Sequence, residues 1–161
     1  MISAIVAVDK DWGIGYKGEL LENIPEDLKR FKELTTNNII IMGNKTWESL
    51  PKKPLPNRIN IVVTSNPHKS DEACFWSMED VKMSLNNPTN DHYFIIGGGT
   101  IYNQLLSFCD TVYITKIYKR HSNIDTYFPN LDSMKEWKVI EAGPINEYKD
   151  FTYQFILYGR T

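Results

Sequence analysis

The sequence predicts an α/β fold on a mostly parallel sheet, and three observations carry that prediction. Short apolar runs rich in β-branched and aromatic residues alternate with helical patterns along all 161 residues. Some runs are apolar at consecutive positions, as in Ile39-Ile40-Ile41-Met42, which suits strands covered on both faces. Two strand-to-helix junctions carry glycine, at Gly43 and at Gly97-Gly98-Gly99, where strand ends meet a ligand crevice in such sheets.

Residues 2–8 form the first run and stop at Asp9; the stretch lacks a basic leader and is too short to span a bilayer, so it reads as a buried strand of a cytoplasmic protein. Pro25 opens a helix, since its fixed φ and missing N–H suit the first turn. Further strands fall at residues 39–42, 59–63, 93–96 and 111–117. Ser77-Met78-Glu79-Asp80 is a capping box, followed by an apolar stripe at Met78, Val81 and Leu85. Another helix starts in Gly98-Gly99-Thr100 and runs through Tyr102, Leu105 and Leu106. The last run, residues 151–158, mixes Thr152, Tyr153 and Gln154 with apolar residues and fits an antiparallel edge strand.

Hydrophobic residues make 42% and charged residues 24% of the chain, the balance of an ordinary single-domain soluble globule. A net charge of -2 and the lack of a clustered basic patch argue against nucleic acid as a partner. The cluster from Lys116 to Arg120 alternates with apolar residues and reads as an exposed strand face. Cys74 and Cys109 have neither metal-ligand spacing nor a disulfide framework, so no metal is expected and both read as small buried apolar residues.

Asp27 is the most informative single residue. At roughly 100° per residue, Leu34 falls at about -20° from it, Phe31 at about 40° and Leu28 at about 100°. Asp27 therefore lies inside the apolar arc, whereas Glu26, Lys29, Arg30, Lys32 and Glu33 fall outside. An ionised carboxylate facing a core is costly unless paired. It could serve the helix dipole, pair with a buried base, or bind a cationic or amidine-like N–H pair of a ligand, such as a protonated pterin.

The run Gly97-Gly98-Gly99-Thr100 allows a close ligand approach at a helix N-terminus, although an ordinary tight turn reads the same way. Gly43-Asn44-Lys45-Thr46 repeats the arrangement, and Thr64-Ser65-Asn66 adds hydroxyls after a third strand. Their joint occurrence at three strand ends favours a dinucleotide.

Seven segments in order resemble bacterial dihydrofolate reductases over nearly the whole chain: Met1-Ile2-Ser3-x-Ile5, Asp11-x-x-Ile14-Gly15, Pro25-x-Asp27-Leu28-x-x-Phe31-Lys32, Ile41-Met42-Gly43-x-x-Thr46-Trp47-Glu48-Ser49, Pro54-Leu55-Pro56-x-Arg58, Ile96-Gly97-Gly98-Gly99-x-x-Tyr102 and Asp125-Thr126-x-Phe128-Pro129. The resemblance implies one domain over residues 1–161, with a twisted sheet of about eight strands, about four flanking helices and an adenosine-binding subdomain at about 38–89. It implies reduction of 7,8-dihydrofolate to tetrahydrofolate by hydride from NADPH, in one-carbon and thymidylate metabolism. Dihydrofolate and antifolate inhibitors are the implied ligands, and a monomer the implied state. Asp27 would grip the pteridine N–H groups with Thr115 as second partner and support protonation of the ring. Ile5, Ala7, Leu28, Phe31, Leu50, Leu55 and Ile96 would line the substrate pocket, and Arg58 would pair with the glutamate tail. Ala7, Ile14, Gly15, Gly43, Lys45, Thr46, Ser49, Thr64, Ser65, Gly97, Gly98, Gly99, Thr100, Ile101, Tyr102 and Thr126 would hold the dinucleotide, with a cis peptide at Gly97-Gly98.

The chain departs from the family in three ways. Leu21-Glu22 replaces a Pro-Trp pair whose tryptophan usually orders a water near the substrate, and Glu22 is expected to order that water differently, to relay a proton as a second catalytic group, or to point to solvent. Asn44 and Thr100 stand where relatives place arginines against the 2′-phosphate, which predicts weaker discrimination against NADH. Ile124 replaces a glycine before Asp125 and predicts a different loop shape, with altered coupling to the loop spanning Ile14 to Asn23. A same-fold pyrimidine reductase of flavin synthesis and a non-catalytic folate- or nucleotide-binding paralogue are the alternatives; Asp27 with Phe31 and Arg58 argues against the first.

Overall fold

A computed structural model describes residues 1–15, 21–87 and 89–161. The chain runs β1 (Ile2–Val8), β2 (Gly13–Gly15), α1 (Pro25–Thr35), β3 (Ile39–Gly43), α2 (Asn44–Ser49), β4 (Ile59–Val63), β5 (Cys74–Trp76), α3 (Met78–Leu85), β6 (Tyr93–Gly97), α4 (Gly99–Leu105), β7 (Thr111–Ile117), β8 (Thr126–Tyr127), β9 (Trp137–Tyr148) and β10 (Phe151–Arg160). Eight strands form one sheet in the order β5-β4-β3-β6-β1-β7-β10-β9. The first six are mutually parallel, while β10 runs antiparallel to both β7 and β9.

The double-sided burial read from Ile39-Ile40-Ile41-Met42 is the organising feature. Strand side chains alternate between faces. Ile39 and Ile41 join Ile61, Val63, Ile95 and the α4 residues Ile101 and Leu105 on one face. Ile40 and Met42 join Val62, Phe94 and the α2 residue Trp47 on the other. Val81 and Leu85 bring α3 onto the α4 face, and the predicted cap is present, with Asp80 N donating to Ser77 Oγ at 3.1 Å.

The C-terminal run is antiparallel as expected but is not the outermost strand; β9 lies outside it. Strand β9 escapes the sequence pattern because its apolar residues Val139, Ile140 and Ile145 are exposed and its interior holds Gly143 and Pro144. An edge position tolerates both. Three further strands, β2, β5 and β8, have only two or three residues each, too few to show a period. Strand β7 ends at Ile117, so the Lys116–Arg120 cluster is not a strand face: Lys116 ends in the strand with its ammonium 4.3 Å from the Trp12 ring centre, and Lys119 and Arg120 lie in the following loop.

Strand β1 lies between β6 and β7, where chain order reverses. Ligand crevices in open α/β sheets form outside the carboxyl ends of strands at such a reversal. The loop expectation for Ile14 to Asn23 falls partly on residues 16–20, outside the described residues.

Candidate active site

Helix α1 starts with Pro25, and its N-cap Ile24 supplies no side-chain cap. Glu26 and Asp27 place negative charge in the first turn, where the helix dipole favours it. Asp27 turns toward β7, and Thr115 Oγ1 donates to its Oδ1 at 2.5 Å. Thr115 is only 3% exposed and sits in register with Ala7 of β1 and Phe155 of β10. Burial raises the Asp27 carboxyl above the ordinary carboxylate value; the Thr115 bond and the Arg30 charge pull the other way with less effect.

Arg30 departs from its expected place outside the apolar arc. It is half-buried, with its guanidinium 4.3 Å from the Phe155 ring centre and 5.5 Å from that of Tyr113. The long aliphatic stem and flat cation allow this, since both rings present a π face.

The expected pocket walls come together in part. Ile5, Leu50, Leu55 and Ile96 are partly buried and pack on the cluster of Ile40, Met42 and Phe94, as does Leu34 of α1. Phe31 is half-buried on α1, and Leu28 lies 51% exposed. Ala7 packs instead with Ile24, Ile117 and Tyr153. Arg58 extends toward the end of α1, donating from Nε to Pro56 O and from Nη1 to Thr35 Oγ1, each at 3.0 Å. Its loop holds a cis Lys53-Pro54 peptide and is tied by buried Asn60, which accepts from Leu55 N and donates to Leu55 O and Arg58 O.

The two glycine junctions lie on neighbouring strands β3 and β6. Gly43 and Gly98 are the N-caps of α2 and α4, and neither helix start has a side-chain cap. The Gly97-Gly98 peptide is cis, as expected, and Gly97 has φ of 122°. A Cβ on Gly98 would meet only Thr46 Oγ1, at 3.7 Å, so this junction is open toward α2. A Cβ on Gly99 would run into the Thr126 methyl, because the β2–β8 pair, with Ile14, lies across it. Ile14, Gly15, Thr46, Thr126 and the glycine run thus converge. Thr64 and Ser65 follow β4, with Thr64 Oγ1 accepting from Asn66 N at 3.1 Å. Lys45, Ser49 and Thr100 are exposed. Tyr102 and Ile101 are buried, and the Tyr102 hydroxyl is committed to Ile5 O at 2.7 Å, so these two offer a ligand mainly their backbone.

A family model described as dihydrofolate reductase matches residues 1–160. The chain belongs to the dihydrofolate reductase family. It is 39% identical to the dihydrofolate reductase of Bacillus subtilis (strain 168) over 164 residues, covering 99% of this chain and 95% of that protein. It is 34% identical to that of Staphylococcus aureus over 159 residues, covering 96% and 95%. Among solved structures, dihydrofolate reductase from Enterococcus faecalis complexed with NADP(H) and RAB-propyl superposes with a TM-score of 0.85, at 31% identity and 99% and 96% coverage.

As a dihydrofolate reductase the chain has its own variation beside α1. The expectation that Glu22 points to solvent is overturned: its side chain is 18% exposed, 2.8 Å from His121 Nε2 and 3.5 Å from Lys119 Nζ. Asp9, 1% exposed, accepts from the backbone N of Asp11 and Gly13 and lies 3.3 Å from His121 Nδ1. Neither Asp9 nor His121 was flagged by the sequence; a buried aspartate ending an apolar strand was the available signal. Ile124 is not among the residues with positive φ, and its side chain covers Gly13. The neighbouring strands still couple, with Asp125 N donating to Gly15 O at 3.1 Å.

Proposed function

We propose that this dihydrofolate reductase reduces 7,8-dihydrofolate to 5,6,7,8-tetrahydrofolate with NADPH, and that Asp27 both binds the pterin and delivers the proton. The observation that carries the reading is the Asp27 carboxyl itself: in the first turn of α1, bonded to Thr115, and raised by burial. A carboxyl so placed can accept an amino and ring N–H pair when ionised and pass on a proton when protonated. Arg58 is the proposed partner of the glutamate tail, a task suited to a planar guanidinium. Ile5, Leu28, Phe31, Leu50, Leu55 and Ile96 would enclose the ring, and antifolate inhibitors would occupy the same cleft.

The residues fit a dinucleotide. Two neighbouring helix starts carry glycine N-caps and no side-chain cap, and the space above Gly98 is open toward Thr46. Gly43, Lys45, Thr46, Ser49, Thr64, Ser65 and the run from Gly97 to Tyr102 would hold it, with Ile14, Gly15, Ala7 and Thr126 on the nicotinamide side. Residues 38–89 would contact the adenosine half. NADPH, when bound, supplies the hydride; the protein orients the pterin, excludes water and holds the proton at Asp27. A monomer acting in the cytoplasm on one-carbon and thymidylate metabolism is part of the proposal.

The test is loss of NADPH absorbance on addition of dihydrofolate to the purified protein. Turnover is expected. Tight binding of dihydrofolate without turnover would point to a non-catalytic paralogue, and failure to bind it would remove the reading.

A further inference from the structure

His121 stands between two carboxylates from different parts of the fold. Its Nε2 lies 2.8 Å from Glu22 Oε2, on the approach to α1, and its Nδ1 lies 3.3 Å from Asp9 Oδ2, at the end of β1. Its backbone N also donates to Asp9 Oδ2 at 3.2 Å. Asp9 in turn holds the turn before β2 through Asp11 N and Gly13 N at 2.9 and 2.8 Å. Two residues after Glu22, Ile24 is 1% exposed and packs on Ile117, Phe151 and Tyr153. Three residues further on, Asp27 meets Thr115. The segment leading into α1 is therefore pinned to β7 at Thr115 and to the loop after β7 at His121.

We propose that His121 is a positioning residue for the reduction, acting through Glu22 and Asp9 to hold the approach to α1 against the end of β1. The proposal rests on the reductase reading above. A neutral imidazole has one N–H, so it can donate to only one of the two carboxylates; the doubly protonated ring donates to both. Other charges face the cluster. Lys119 lies 3.5 Å from Glu22 and 3.6 Å from Asp150 in the β9–β10 turn, and Arg120 pairs with Asp11 at 2.9 Å. Lys116 on β7 feels Asp9 and Asp11. Lys119 thus gives Glu22 a counter-charge of its own beside the His121 contact. The two ring nitrogens are occupied by separate carboxylates, and among the described residues no group of three or more His, Cys, Asp or Glu is placed to hold a metal ion.

The experiment measures single-turnover hydride transfer from NADPH to dihydrofolate, the KM for dihydrofolate and Tm for wild type, His121→Gln, Glu22→Gln and the double variant. Hydride transfer in His121→Gln is expected to be roughly three- to tenfold slower than in wild type, as for one coupled network, with KM for dihydrofolate little changed. Glu22→Gln should behave alike, and the double variant should be no slower than the slower single one. If His121→Gln does not fold, Glu22→Gln, which leaves the Asp9 contact, carries the test. Unchanged hydride transfer in His121→Gln, with or without a lowered Tm, would overturn the proposal. A wild type inactive with dihydrofolate would instead remove the reductase reading.

Discussion

Replacing Asp27 with asparagine removes a charge and a titratable proton while nearly keeping shape. Two losses follow from the geometry. The carboxylate is proposed to bind the pterin through a charge-assisted pair, and hydrogen bonds to charged groups contribute about 1.5–3 kcal/mol, or roughly ten- to hundredfold in affinity. Positioned acid–base groups contribute about 10²–10⁴ in rate, or roughly 3–5 kcal/mol. Asp27→Asn should therefore lower kcat/KM for dihydrofolate by at least about 10³ at pH 7. Wild-type activity should fall as pH rises through the raised Asp27 value, and the variant should lack that step. Stability should move the other way. The folded state holds the Asp27 proton more tightly than the unfolded chain, so the buried carboxyl costs stability above its raised value and not below the ordinary 3.8. The variant should melt higher than wild type at pH 7, and the gain should disappear as pH falls toward 3.8. The assay is NADPH absorbance loss against pH, with melting curves alongside. A variant within about tenfold of wild type, showing the same pH step, would refute the reasoning.

Three further outcomes are expected. Thr115→Val removes the donor that favours the ionised Asp27, so the alkaline limb of the pH–rate profile should move to higher pH while dihydrofolate binding weakens. Arg30→Met removes a nearby positive charge and should move the same limb in the same direction; it should also cost about 0.5–2 kcal/mol of stability from the lost stacking on Phe155, read by denaturant melts. Asn44, whose Nδ2 donates to Glu48 Oε1 at 3.1 Å, offers no fixed charge at the start of α2; Asn44→Arg should raise the kcat/KM preference for NADPH over NADH roughly tenfold, and an unchanged ratio would show that this position does not meet the 2′-phosphate.

The parts of the fold legible in sequence were those where burial on both faces leaves a continuous apolar run, as in β3, β4 and β6. Edge strand β9 was not legible, because its outer positions answer to solvent. Asp27 was legible because helical periodicity alone sets it among Leu34 and Phe31. Arg30 was misplaced because periodicity gives direction but not reach: a long stem carries the charge back over Phe155. The Asp9–His121–Glu22 cluster joins residues more than ninety positions apart, and no local pattern announces such a contact.

The proposed mechanism requires the Asp27 carboxyl to face the pterin ring. A crystal structure of the protein with NADP and folate tests this directly. The pterin amino and ring N–H groups should lie within hydrogen-bond distance of the Asp27 oxygens, with the nicotinamide beside the glycine run from Gly97. A pterin bound elsewhere, with Asp27 turned to bulk solvent, would contradict it.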